Sequence, residues 1–479
     1  MLSEYLSRFE SSSMEKYISQ DLPDLFKKEV FQYFGKEIFS SQPEPTQKFL
    51  IKSSIIDPIE SGFMRDFIGM ENTEEILRDH ARRNLFVQSF YDEKKGWLFR
   101  YHQLFRNFLK AKFESTMGDE ERRPLFLKAG TLYEQRGELL NSMKYFLEAK
   151  AYPQAVSSME QLGMDLLRNG RREDLSRWVL VFPDHIREEN PWLLFYQAMG
   201  RQFMVGKENV ISIEKAYNLF KQKGDTKGIL TSLAQLIRAS IYSGVHLVPL
   251  GQLIKEGEVL LQSVDLDKYQ YESAVLRHYI GSGHIFGEGD LRKGIWACQN
   301  AYLIAKQLKD RRLQVLTLVL SSLGLVFVGE FSLAEEACKK IGKITEKSGW
   351  SEIEALRLIS NSVLANYQGD FIKAQNLVEK LQGEIEKYGF VLISPWIYEI
   401  SGNLKVARGE FKEAEEIGNS YLSAAISLKN AFLKGLAFRL LGSIYLRQGY
   451  FKKPKRPLID PWMPYQWRLR RRTNSTELR

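Results

Sequence analysis

Only two cysteines, Cys298 and Cys338, occur in 479 residues, too few for a disulfide framework. The chain also lacks a continuous run of about 18 apolar residues of the kind a membrane helix needs. Its first residues, MLSEYLSRFESSSMEKY, hold no apolar stretch of the secretory kind. These absences point to a reducing, cytoplasmic setting. No G-x-x-x-x-G-K-[ST] loop is present; Gly342-Lys343 comes nearest and lacks the glycine five residues before. Without such a loop to cradle the β and γ phosphates, nucleotide hydrolysis has no physical basis in these residues. The six histidines (His80, His102, His185, His246, His278 and His284) include no H-x-x-x-H or H-E-x-x-H pair, and no cysteine completes a zinc set. There is no G-x-S-x-G elbow either. The expectation is a protein that binds or scaffolds, with no metal, no cofactor of its own and no catalytic residues.

The net charge is +9, which by itself invites a nucleic-acid reading. Its location argues otherwise. Residues 452–479 carry nine basic side chains against Asp460 and Glu477, so +7 lies there and only +2 remains for residues 1–451. A basic footprint for phosphates would have to spread over the folded body.

What the sequence does contain is a repeat. Gly289-Asp290-Leu291, Gly329-Glu330-Phe331, Gly369-Asp370-Phe371, Gly409-Glu410-Phe411 and Gly449-Tyr450-Phe451 recur every 40 residues, with Ala334, Ala374 and Ala414 five residues after three of the glycines. Each glycine follows one apolar helical stretch and precedes another. It suits a helix C-terminus, where a left-handed residue is easiest without a Cβ. The acidic residue after it is expected to meet free N–H groups of the next helix. The aromatic packs into the corner, and the alanine lets paired helices approach. One unit is therefore helix–turn–helix and must stack on its neighbours to bury an apolar face. Upstream, around Gly137 and Gly170, the register is looser. Cys298 and Cys338 take equivalent places in adjacent units and read as small buried residues. Glu335–Glu336 and Glu415–Glu416 read as a solvated face. Trp296, Tyr302, Trp350, Tyr367, Trp396 and Tyr398 read mainly as core.

Residues 1–118 do not carry the repeat. EVFQYFGKEIFSSQ, TQKFLIKSSII and TEEILRDHARRNLF read as helices, followed by FVQSFY and WLFRYH as two short strands around a turn at Gly96. Three helices and a hairpin make a winged helix, here without a dense basic recognition helix. The run FLIKSSIID…ILRDHARRNLFVQSF…WLFRYHQLFRNFLKAKF is similar to the winged helix of MalT-type regulators, large ATP-dependent members of the LuxR family. LSRWVLVFPDHIREENPWLLFYQA, with Trp178, Pro183 and Pro191, resembles the first sensor helices of that family. The Gly-acidic-Phe repeats resemble its tetratricopeptide-like superhelix.

The resemblance implies an order of ATPase core, winged helix, sensor superhelix and C-terminal LuxR helix-turn-helix, with inducer and ATP driving self-association on promoters. This sequence holds only the middle of that order. It is expected to be all-α, a tetratricopeptide-like superhelix preceded by a small winged-helix domain with a short β-hairpin. The expected parts are a helical remnant or linker at 1–24, the winged helix at 25–118, the repeats at 119–451 and a disordered basic tail at 452–479. By the same resemblance His102 lies where related ATPases sense ADP, so it would meet ATP or ADP only if an ATPase core were supplied elsewhere. The alternative is a structural hydrogen-bonding role. The ligand-binding residues are not legible. The expected partners are a small-molecule inducer or a protein on the superhelix and a second copy of the chain, with no membrane and no direct DNA contact. The alternative function is a stand-alone tetratricopeptide adaptor for a peptide or protein. Pro454, Pro457, Pro461 and Pro464 stop the last unit from forming its second helix. Deleting 453–479 should therefore leave the thermal midpoint nearly unchanged in scanning fluorimetry; a large drop would refute a tail independent of the fold.

Overall fold

The computed structural model describes residues 31–448, apart from residue 84 and the stretches 201–206, 243–247, 347–350, 389–393 and 428–430. The expectations for 1–24, 452–479, His246, Trp350 and Gly449 lie outside the described residues. The chain divides into two compact units, Met1–Asp165 and Leu166–Arg479.

The first unit opens with a π-helical turn, Phe34–Phe39, then α1 (Glu44–Ser53), α2 (Ser61–Ile68) and α3 (Thr73–Arg82). Strands β1 (Ile59–Glu60), β2 (Val87–Asp92) and β3 (Gly96–Tyr101) form an antiparallel sheet in the order β1-β3-β2. The hairpin pairs Val87 with Tyr101 and Asp92 with Gly96. At its turn Asp92 Oδ1 accepts from the N–H groups of Lys94 and Lys95, 2.9 Å each. Strand β1, absent from the sequence reading, is two residues long and too short to show any periodicity. The interior is largely aromatic: Phe34, Phe49, Phe63, Phe67, Phe99 and Phe105 are all fully buried. Each such side chain contributes about 1.5–3 kcal/mol by leaving water. Helices α4 (Gln103–Thr116), α5 (Asp119–Gln135), α6 (Leu139–Glu148) and α7 (Tyr152–Arg168) follow. Tyr133 of α5 stacks on Tyr145 of α6 at 5.3 Å, and the Tyr145 hydroxyl donates to Ile55 O at 2.7 Å. The first helical hairpin is thus pinned to the winged helix.

The second unit begins with α8 (Arg172–Val179), α9 (Asp184–Glu189) and α10 (Pro191–Gly200). Helical pairs then follow. Helices α11 (Lys207–Lys223), α13 (Leu250–Ser263), α15 (Leu291–Gln307), α17 (Phe331–Thr345), α19 (Phe371–Tyr388) and α21 (Phe411–Ser427) form one layer. Helices α12 (Thr226–Tyr242), α14 (Gln270–Gly283), α16 (Arg311–Val328), α18 (Ser351–Gln368), α20 (Ser394–Ala407) and α22 (Ala431–Arg447) form the other. Members of this second layer pack successively on one another, α12 on α14 through to α20 on α22. It is the inner layer. In α16, 13 of 18 residues are buried, whereas in α17 only Ala334, Ala337, Cys338 and Ile341 are. Helix α22 also packs against α12, which brings the last inner helix round to the first.

The corners follow the repeat glycines. Gly289, Gly329, Gly369 and Gly409 all have positive φ, between 76° and 86°. At Gly329 its N–H donates to Val326 O at 3.1 Å, and Glu330 N–H to Leu325 O at 2.9 Å. The same two bonds recur at Gly369 and Gly409 and satisfy carbonyls that a helix end leaves open. Ala334, Ala374 and Ala414 are wholly buried in helix contacts. The acidic residue after the glycine behaves in two ways. Asp290 and Asp370 accept from the N–H of Lys293 (3.2 Å) and Lys373 (3.1 Å). Glu330 makes no side-chain cap, and Glu410 pairs with Lys405 instead. One extra methylene carries the glutamate carboxylate past its own helix N-terminus.

The expectation about long apolar segments needs amending at α16. Among the described residues it is the one helix long and apolar enough to cross a membrane, with mean hydropathy 1.5 over Arg311–Val328. Most of it is buried, as the inner-layer position requires.

Gly369→Ala should cost about 1–2 kcal/mol in urea unfolding, because alanine must adopt the left-handed backbone. Gly383→Ala, inside α19 with open space where a Cβ would go, should gain up to about 1 kcal/mol. Equal effects at the two sites would contradict the corner assignment.

Candidate functional site

Two surfaces were candidates from sequence, the winged helix and the superhelix interior. On the winged helix several of the cations pair with carboxylates. In α3 Arg78 pairs with Glu74 at 2.7 Å and Arg83 with Asp79 at 3.2 Å. Asp57 takes both Arg100 (3.1 Å) and Arg106 (2.8 Å), Lys95 binds Glu138 at 2.6 Å, and Arg136 binds Glu60 at 2.8 Å. Surface pairs of this kind add little stability. With 13 basic and 12 acidic side chains over residues 31–118, this region is close to neutral.

His102 follows β3 directly and is the N-cap residue of α4. Its N–H donates to Phe86 O at 2.7 Å and its carbonyl accepts from Arg106 N–H at 2.9 Å. The half-buried ring lies edge-on to Phe86, 6.0 Å between centroids, with exposed Gln103 beside it. Backbone hydrogen bonds on both sides of His102 and the Phe86 ring help fix where this imidazole stands.

In the superhelix the expected core aromatics fall elsewhere. Trp296 is 62% exposed and Tyr367 39%, while Tyr302, Trp396 and Tyr398 are partly buried. None of these five is a full core residue. The small residues Ala and Cys fill the helix contacts, so bulky rings are displaced to the layer surfaces. Cys298 and Cys338 are free and buried, and burial raises both thiols, to about 12 and about 11.

The inner layer buries polar groups that periodicity did not reveal. Glu399 of α20, 5% exposed, is paired with Arg439 of α22, and Asn403 Nδ2 donates to the same carboxylate oxygen at 3.1 Å. Its other oxygen and the buried Tyr421 hydroxyl have no hydrogen-bond partner. Tyr421 stacks on Tyr398 at 5.4 Å. A second polar group joins α12 to α14, where the Tyr242 hydroxyl and Ser282 Oγ lie 2.9 Å apart. Burial, helped by the nearby charge of Arg238, pushes His278 down from 6.5 to about 4. His284, at the start of the π-helical turn His284–Glu288, has Nε2 3.1 Å from Glu258. Its Nδ1 is 2.8 Å from Glu288 but out of line for a hydrogen bond. The only sequence signal for these groups was polar residues inside otherwise apolar helices, and such residues also occur on solvent faces.

Residues 35–121 match the MalT winged helix domain family. Through that match and its relatives the chain resembles a MalT-like regulator region. It is 26% identical over 180 residues to the HTH-type transcriptional regulator AlkS of Ectopseudomonas oleovorans, covering 36% of this chain and 20% of AlkS. It is 28% identical over 107 residues to the HTH-type transcriptional regulator MalT of Klebsiella pneumoniae strain 342, covering 22% of this chain and 12% of MalT. The matched region thus spans a fifth or less of these regulators' own length. A signal-transduction ATPase with numerous domains and a tetratricopeptide repeat sensor, from Pyrococcus horikoshii, superposes with a TM-score of 0.51 at 15% identity. That likeness covers 95% of this chain and 67% of the Pyrococcus chain, and it shows the fold: helical repeats after a small winged helix.

Because folding holds the His278 ring neutral, the unfolded chain binds more protons between pH 6.5 and about 4. The stability this residue confers is complete above pH 6.5 and is lost as pH falls through that window. Going from pH 7 to pH 5 should cost wild type about 2 kcal/mol more than His278→Gln in urea unfolding. Equal acid sensitivity of the two proteins would show that the ring is not held neutral.

Proposed function

We propose that this chain is the ligand-sensing and self-association region of a MalT-like transcriptional regulator, acting by binding in the cytoplasm and not by catalysis. The observation that carries this reading is the succession of a MalT-type winged helix and a superhelix whose inner layer holds buried polar side chains without partners. A purely structural solenoid gains nothing from such groups, because each unpaired buried polar atom costs about 1–3 kcal/mol. The names of the relatives support the regulatory setting. In this reading a small-molecule inducer or protein partner engages the superhelix, and nucleotide and DNA are handled by modules beyond this region. His102, held at the N-terminus of α4, is the residue that would meet a nucleotide carried by such an ATPase module. The neutralised winged helix serves as a packing module, with no direct role on DNA.

Hydrogen exchange on the 479-residue chain tests this. The dialysable metabolite fraction of a cell extract should slow exchange in the inner helices α12 to α22 and leave α1 to α4 unchanged. Protection only by the macromolecular fraction would favour a protein-binding adaptor. No protection by either would sink the sensor reading.

A further inference from the structure

Among the described residues the inner layer holds two half-buried guanidiniums without an ion pair, Arg238 of α12 and Arg277 of α14, and only Arg238 stands level with His278 across two helices. Arg238 of α12 makes a single hydrogen bond, Nη1 to Gln235 Oε1 at 3.3 Å, and no ion pair among the described residues. Three other arginines around the inner layer are matched: Arg168 with Glu272, Arg357 with Glu354 and Arg439 with Glu399. A cation withdrawn from water without a partner loses hydration and gains no Coulomb energy in return.

The neighbours of Arg238 are set by the helix register. The Tyr242–Ser282 contact joins α12 to α14, and one turn back on each helix stand Arg238 and His278. His278 is 6% exposed, and its Nδ1 is buried without a hydrogen-bond partner. Helix α12 carries Lys227 and Arg238 and no carboxylate; α22, which packs against it, carries Lys434, Arg439 and Arg447 and none either. Neither of these two helices supplies a carboxylate to Arg238, and Glu399 of α20 pairs with Arg439.

We infer that Arg238 and His278 form an anion-binding site between α12 and α14 that takes the carboxylate or phosphate group of a small effector. This rests on the sensor reading and narrows it to a ligand class. An oxyanion between the two side chains accepts charge-assisted bonds from the guanidinium and a bond from Nδ1–H of the imidazole. A neutral ligand leaves the guanidinium uncompensated, and a cation adds to its charge.

The probes are inorganic phosphate and acetate, against sodium chloride at matched ionic strength, on the full chain. At least one oxyanion should raise the thermal midpoint above the chloride control. It should also move the His278 Cε1–H resonance, identified by its absence in His278→Gln. Arg238→Gln should weaken that anion at least about tenfold, the loss expected for a charge-assisted contact. Its ligand-free stability should not fall, because an uncompensated charge has gone. Arg238→Lys, which keeps the charge, should retain part of the response and serves if Arg238→Gln does not fold. A response to phosphate alone marks a phosphoryl ligand, and one to acetate alone a carboxylate; either supports the site. No response beyond chloride, or a response undiminished in Arg238→Gln, overturns it. If the metabolite fraction still protects the inner helices in that case, the sensor reading stands and only the anion assignment falls.

Discussion

Three successive corners of the regular array turn on the same two backbone hydrogen bonds. At Gly329, Gly369 and Gly409 the glycine N–H and the N–H after it reach back to carbonyls three and five residues upstream. The left-handed residue that makes both bonds reachable also sets the angle at which the next helix leaves. Because that geometry repeats every 40 residues, each helical pair meets its neighbour with the same faces. Buried alanines at 334, 374 and 414 can then serve as the contact points. Packing energy is collected between units, so the array depends on the regularity of its corners.

A regular array of this kind divides its helices into two environments. The outer helices keep a solvated face with i,i+4 pairs such as Glu335–Lys339 and Glu336–Lys340. The inner helices are enclosed, and α22 returns to α12. Polar side chains placed there are withdrawn from water whether or not they find partners. Glu399 and Arg439 find each other; His278 and Arg238 are left wholly or partly unsatisfied, as is Tyr421, which reaches in from α21. Those deficits are what the proposed effector would satisfy.

The winged helix follows a different economy. Its interior is rich in phenylalanines, its hairpin is tied at Asp92, and several cations are answered by Glu74, Asp79, Asp57, Glu60 and Glu138. A near-neutral surface and an aromatic core make this a compact body.

The sequence alone determined the features that local rules control. Gly329-Glu330-Phe331 and its counterparts marked the corners because only glycine takes the left-handed backbone without cost. The hairpin at Gly96 and the helices on either side were legible in alternation and helical spacing. Tertiary structure decided what depends on which faces meet. It placed Trp296 in solvent rather than the core, paired the two-residue strand β1 with β3, and separated the capping aspartates from glutamates that reach elsewhere. It also set Arg238 one turn from the Tyr242–Ser282 contact, level with His278, forty residues further along the chain. Periodicity identifies the apolar face of a helix, but not which helix covers that face. The charge state and partners of an enclosed side chain are set by that covering helix.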